Sequence, residues 1–206
     1  MMAQLAASAM RDVPERWPVI SSEELASGGL VRLRRDQVRM PDGTVAGREV
    51  VEHPGAVAVV ALNDAGQVLM IRQYRHPVGR LLWEIPAGLR DADGEPPLET
   101  AERELREETG YRAARWQVLT DFFSSPGIST ERLRVYLARD LEPAERCYEP
   151  EHEEAYLVLE WVPLAAAVTR VLAGDLHNGV TAIGILSAYA ALRDGTVLRD
   201  AAAPER

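Results

Sequence analysis

The sequence predicts an α/β layered domain with a small β appendage on its N-terminal side, and three observations predict it. Patterns for strands, one helix, more strands and then two helices follow one another, the order of a layered α/β unit. Residues 56–62, AVAVVAL, are an unbroken apolar run, expected of a strand buried on both faces. Residues 31–53 hold two short strand patterns around a Pro-Asp-Gly turn and stop at Pro54-Gly55. The expected domains are therefore 1–54 and 55–206.

Residues 1–29 are mixed in character and are expected to be frayed or loosely packed. VRLRRDQVRMPDG (31–43) and GREVVEH (47–53) form the appendage. After the run at 56–62, NDAG (63–66) predicts a turn, with QVLMIRQY (67–74) as its hairpin partner. LLWEIPAG (81–88) is a strand stopped by proline and glycine. A polar loop leads to a helix that opens at Pro96-Pro97 and ends at Gly110, residues suited to a first turn and a C′ position. WQVLTDFF (116–123) and RLRVYLAR (132–139) flank the loop SSPGISTE. A long acidic loop at 140–154 precedes the strand AYLVLEWV (155–162), and helices are expected over 163–174 and 179–195. There are no internal repeats.

Composition narrows the functions. A chain of 206 residues suffices for one substantial domain and a small appendage. The net charge of −9 disfavours binding to a nucleic-acid backbone. All 23 basic residues are arginine, which reads as compositional bias. The single cysteine, Cys147, excludes an internal disulfide framework and a multi-cysteine metal site. No apolar run is long enough to span a membrane. The opening MMAQLAASAMRD lacks the basic and apolar regions of a signal peptide. A cytoplasmic enzyme or binding protein is expected, without nucleic-acid or membrane partners.

The stretch AERELREETG (101–110) raises a sharper question. On a helix, Glu104, Glu107 and Glu108 share one face, and Leu98, Ala101 and Leu105 form a core-facing stripe beside it. Arg103 sits one turn before Glu107 and can pair with it. Glu99, Glu102 and Arg106 read as solvated. Crowded carboxylates repel, and a hard divalent cation with oxygen ligands would relieve the repulsion. The helix by itself leaves two readings open, a solvated face or a metal site.

With its flanks the stretch becomes GLRDADGEPPLETAERELREETGY (88–111), which resembles the Nudix box. The matching positions are Gly88, Glu95, Arg103, Glu104, Leu105, Glu107, Glu108, Gly110 and Tyr111. Six residues separate Gly88 from Glu95 where the pattern usually has five, so the loop LRDADG carries one extra. The resemblance covers about residues 55–175 and implies an α/β/α sandwich with a mixed sheet. It also implies hydrolysis of a diphosphate linked to a nucleoside, with Mg²⁺, or Mn²⁺ in its place. Glu104 and Glu108 would be metal ligands, Glu107 a ligand directly or through water, and the Ala87 carbonyl would complete the site. Arg103 would orient the carboxylates.

Further signals concern the substrate. Pro126, sixteen residues after Gly110 within SSPGISTE, resembles the ADP-ribose pyrophosphatases of this family, although Pro-Gly is also a common turn pair. In that subgroup a small N-terminal β domain is exchanged across a homodimer, and residues 31–53 fit its place. Arg48 and Arg75 are candidates for the diphosphate, because guanidinium forks match phosphate oxygens; surface ion pairing is the other reading of each. Glu84 is placed near the ribose, with Trp83 beside it or in the core, and Glu131 near the terminal ribose or a metal. In the acidic loop EPEHEEAY (149–156) the resemblance points to Glu154 as the residue that activates water or binds metal, with Glu153 second, Glu151 a further option and His152 a nearby group. The expectation is Mg²⁺-dependent cleavage of ADP-ribose, a nucleotide sugar, to AMP and ribose 5-phosphate. The alternatives are another GDP- or UDP-sugar as substrate, or a sensor that binds ADP-ribose without turnover.

Overall fold

The computed structural model describes residues 10–92, 94–145 and 156–205. The chain divides into two compact units, one reaching Glu52 and one starting at His53.

The first unit is a three-stranded antiparallel sheet in the order β1-β2-β3, made of Val19–Ser27, Arg32–Arg39 and Val45–Glu52. Strand β1 corrects the expectation of frayed residues up to 29. Its sequence, VISSEELAS, is exposed at every position and its register with β2 shifts twice, so no period-two pattern announces it. Asp36 is the one buried residue among those described in this unit, so the sheet has no apolar core of its own.

The second unit is built around β4 (Ala56–Ala61), whose six residues are all buried. Its side chains alternate between two cores, as a strand's pleat requires. Val57, Val59 and Ala61 meet Ala101 and Leu105 of helix α1 (Pro97–Thr109). Ala58 and Val60 meet Leu164 and Ala167 of α2 (Leu164–Leu172) and Ile185 and Ala188 of α3 (Gly179–Asp194). Helices on both faces of the sheet make an α/β/α sandwich, the fold class expected from the sequence.

The central sheet has the order β11-β8-β9-β4-β7, with β7 at Ala87–Leu89, β8 at Tyr111–Phe123, β9 at Arg132–Pro143 and β11 at Arg199–Asp200. It is mixed, because β4 and β9 run parallel while the other pairs are antiparallel. A second sheet, β10-β5-β6, holds Val158–Pro163, Gln67–Arg75 and Arg80–Glu84.

Two expectations change here. The segments 56–62 and 67–74 are not a hairpin: β4 already pairs with β9 on one edge and β7 on the other, so β5 enters the second sheet. A single bridge, Leu62 to Val68, and the Asn63–Gly66 turn remain between them. The segment 81–88 is two strands. Buried Ile85-Pro86 carries the chain from one sheet to the other, with the Ile85 amide donating to Thr181 Oγ1 at 3.0 Å and the Val59 amide to the Pro86 carbonyl at 2.8 Å. This crossing delivers Ala87 and Gly88 to α1. No described helix is long and apolar enough to cross a membrane.

Candidate active site

Helix α1 forms where its end signals place it. Pro96 is the extended N-cap, Pro97 the first helical residue, and Gly110 takes the left-handed conformation (φ 72°) and donates its amide to the Arg106 carbonyl. Ala101 and Leu105 are fully buried, which fixes the helix rotation and turns the acidic face toward β7.

Two carboxylates meet β7 directly. Glu108 Oε2 accepts the Ala87 amide at 2.9 Å, and Glu108 is 8 % exposed. Glu104 lies over Gly88: a β-carbon there would stand 2.0 Å from its Cδ and 2.2 Å from its Oε1. No other residue type fits at position 88 with Glu104 where it is.

Arg103 organises the remainder. Its Nη1 donates to Glu104 Oε1 at 2.7 Å and to Glu107 Oε2 at 3.1 Å, while its Nε and Nη2 donate to Glu95 at 3.2 and 3.1 Å. Glu95 also accepts from Thr100 Oγ1 at 2.8 Å. The longer loop after Gly88 therefore still brings Glu95 to the helix. The hydrogen bonds with Glu95 hold the Arg103 guanidinium above its ordinary pKa against the effect of burial, and the Glu104 charge adds to them. Reciprocally, Arg103 and then Thr100 hold the Glu95 carboxyl below its ordinary range. The tie from Thr100 has no counterpart in the spacing argument; its signal was a hydroxyl in the first turn of a helix following an acidic residue.

The other candidates fall elsewhere. Arg75 is paired with buried Glu84, Nη2 to Oε2 at 2.6 Å and Nε to Oε1 at 3.0 Å, so these two form one unit on neighbouring strands. Trp83 packs on the core with the Arg72 guanidinium over its ring. Glu131 accepts from Ser124 Oγ and lies 3.7 Å from His53 Nδ1, at the end of the loop in which Pro126 opens a turn from Ser125 to Ile128. Arg48 belongs to the first unit, on β3, and donates to the Gly47 carbonyl. Glu99 and Glu102 are exposed, as expected. Arg106 is half-buried rather than solvated, because its stem lines a groove with Arg112 and Trp116. Glu151, His152, Glu153 and Glu154 lie outside the described residues.

The Glu104 and Glu108 carboxylates and the backbone at Ala87–Gly88 are an oxygen-rich donor set, which suits a hard divalent cation. The missing β-carbon at Gly88 is what lets that set form. Among the described residues, no group of three or more histidine, cysteine, aspartate or glutamate side chains is placed so that those side chains alone could hold a metal ion. Arg103 lies between Glu104 and Glu107 and supplies the neutralising charge.

The model of the NUDIX domain matches residues 52–180, and that of the nucleoside diphosphate sugar hydrolase N-terminal domain matches residues 17–51. The chain is 54 % identical to the ADP-ribose pyrophosphatase of Mycobacterium tuberculosis over 171 residues, 83 % of this chain and 82 % of the relative. It is 39 % identical to the ADP-ribose pyrophosphatase of Bacillus subtilis over 176 residues, 85 % of this chain and 93 % of that one. A crystal structure of an ADP compounds hydrolase superposes with a TM-score of 0.74 at 22 % identity, covering 90 % of this chain and 99 % of that one, and so shares the fold.

The Glu95–Arg103 pair has a pH signature. A carboxyl held below its ordinary range adds stability that is present above that range and is lost as pH falls through the lowered value. Glu95→Gln is therefore expected to be less stable than the wild type at neutral pH, by no more than about 1 kcal/mol for a partly exposed pair. Urea unfolding at falling pH should show this difference shrinking once the pH passes below the ordinary glutamate range. A difference independent of pH would contradict the pairing.

Proposed function

This chain belongs to the Nudix family, and on that premise we propose that it hydrolyses the diphosphate of ADP-ribose to AMP and ribose 5-phosphate with Mg²⁺. Nudix hydrolases generally use divalent metal ions. The observation that carries the reading is the close fit of Glu104 and Glu108 to the Gly88–Ala87 backbone, which a solvated acidic face would not require. ADP-ribose is favoured by the two relatives named for that activity and by the Pro126 turn in SSPGISTE.

Glu104, Glu108 and the Ala87 carbonyl would hold the metal, with Glu107 a ligand directly or through water. Bound there, a divalent ion would neutralise phosphate charge and acidify water. Arg103 keeps Glu104 and Glu107 in place on the helix. Glu154, assigned from its position in the sequence, orients or deprotonates the water. The water oxygen attacks one phosphorus and the bridging P–O bond breaks, which gives the two monophosphates. Arg75 and Arg48 serve the diphosphate, buried Glu84 acts near the ribose end only by holding Arg75, and Glu131 serves the terminal ribose or a metal. A GDP- or UDP-sugar is the second reading, favoured by the match of residues 17–51 to a domain of nucleoside diphosphate sugar hydrolases. The intact Arg103–Glu108 run argues against a sensor without turnover.

We also propose a homodimer, in which residues 31–53 of one chain reach the other chain's site. The first unit supports this, because its described residues bury no apolar side chain and leave Val19, Ile20, Leu25 and Val45 exposed. A dimer mass by light scattering is expected; a fully active monomer would contradict it.

ADP-ribose should exceed GDP-mannose and UDP-glucose in kcat/KM, read by product chromatography with Mg²⁺. Better turnover of either sugar would overturn the substrate and leave the family membership standing. Glu108→Gln should weaken metal binding and lower kcat, with partial rescue at high Mg²⁺. Glu154→Gln should lower kcat by ~10²-fold without such rescue, as for a lost general base. A near-normal Glu154→Gln would move that role to Glu153 or Glu151, or to the helix.

A further inference from the structure

The segment from Arg199 to Glu205 is anchored with more care than a surface tail requires. Strand β11 pairs with β8, Arg199 opposite Val118. Beyond it the Ala203 carbonyl accepts from Arg134 Nη1 at 2.7 Å. Arg134 is itself held by Asp121 at 2.7 and 3.0 Å, with both side chains at most 3 % exposed, and Arg199 donates to the same carboxylate at 2.9 Å. A buried charge group therefore fixes the backbone two residues before Glu205.

Glu205 then spans the loop after β7 and the first residue of β9. Its Oε1 pairs with Arg90 Nη1 at 2.9 Å, and its Oε2 lies 3.9 Å from Arg132 Nη1. Arg90 follows β7 directly, two residues after Gly88, and Arg132 directly follows Glu131. Both meet at Gly55: the Arg90 amide donates to the Gly55 carbonyl at 3.1 Å, and a β-carbon on Gly55 would stand 2.9 Å from the Arg132 carbonyl. Strand β7 needs such support, since it is a three-residue edge strand paired with β4 at three positions. Short edge strands open at low cost.

We propose that Glu205 is a positioning residue, which ties Arg90 to Arg132 and so holds Ala87 and Gly88 in register with Glu104 and Glu108 for cation binding. The inference rests on the metal reading of that site. Arg90 and Glu205 are only 24 % and 22 % exposed, so the tie is less screened than a surface pair.

The test compares wild type, Glu205→Ala, Glu205→Gln, Arg90→Ala and the Glu205→Ala/Arg90→Ala double variant in two measurements. The first is amide hydrogen exchange over Gly88–Ala92; the second is binding of Mn²⁺ to metal-free protein by titration calorimetry. In Glu205→Ala, exchange should quicken at Gly88–Ala92 and not in β9, and Mn²⁺ affinity should fall about threefold. Glu205→Gln keeps an acceptor for Arg90 and should recover part of both. Arg90→Ala should behave like Glu205→Ala, and the double variant should be no worse than either single one, as expected of one shared interaction. Unchanged exchange and affinity in Glu205→Ala, or exchange quickened equally throughout the second unit, would overturn the proposal. A wild type that binds no Mn²⁺ would overturn the metal reading and this inference with it.

Discussion

The site depends on the absence of one carbon atom. Strand β7 and helix α1 approach so closely that the Glu104 carboxylate occupies the space a side chain at position 88 would fill, and the next residue back, Ala87, donates its amide to Glu108. Charge repulsion on the helix would drive these carboxylates apart and into water. What holds them is burial of Ala101 and Leu105 on the adjoining face, which sets the helix rotation, together with the Arg103 guanidinium, which neutralises the cluster from one side. Hydrophobic packing and ion pairing thus supply different parts of one geometry.

Strand β4 makes that geometry possible. With both edges and both faces occupied, it forces β5 into a second sheet and brings the chain back across Ile85-Pro86 to β7. The crossing is buried and tied to Thr181 on α3, so the strand that faces the acidic helix is set from the opposite layer. An enzyme that must hold several carboxylates at fixed separation gains from such a frame, because helix and strand cannot shift independently.

Much of this was legible in the sequence where one local rule decides the outcome. The alternation of two cores along AVAVVAL, the proline and glycine ends of α1 and the shared face of Glu104, Glu107 and Glu108 each follow from a period or a terminus signal. What escaped depends on partners far apart in the chain. The sheet switch after Asn63 is decided by the edges of β4, not by the turn residues. Strand β1 carries no hydrophobic alternation because no described face of it is buried. The pairing of Arg75 with Glu84 joins two residues that spacing treated separately, and the role of Glu205 follows from contacts more than seventy residues apart in sequence.

A double-mutant cycle on Mn²⁺ affinity between Gly88→Ala and Glu104→Ala probes the fit of the carboxylate over the glycine. If Glu104 needs the space over Gly88 in order to bind metal, Gly88→Ala should weaken Mn²⁺ binding strongly in the wild type and add little once Glu104 is already truncated, giving a coupling well above ~0.5 kcal/mol. Additive losses would contradict this dependence, because position 88 would then act on the metal by some route other than the Glu104 carboxylate.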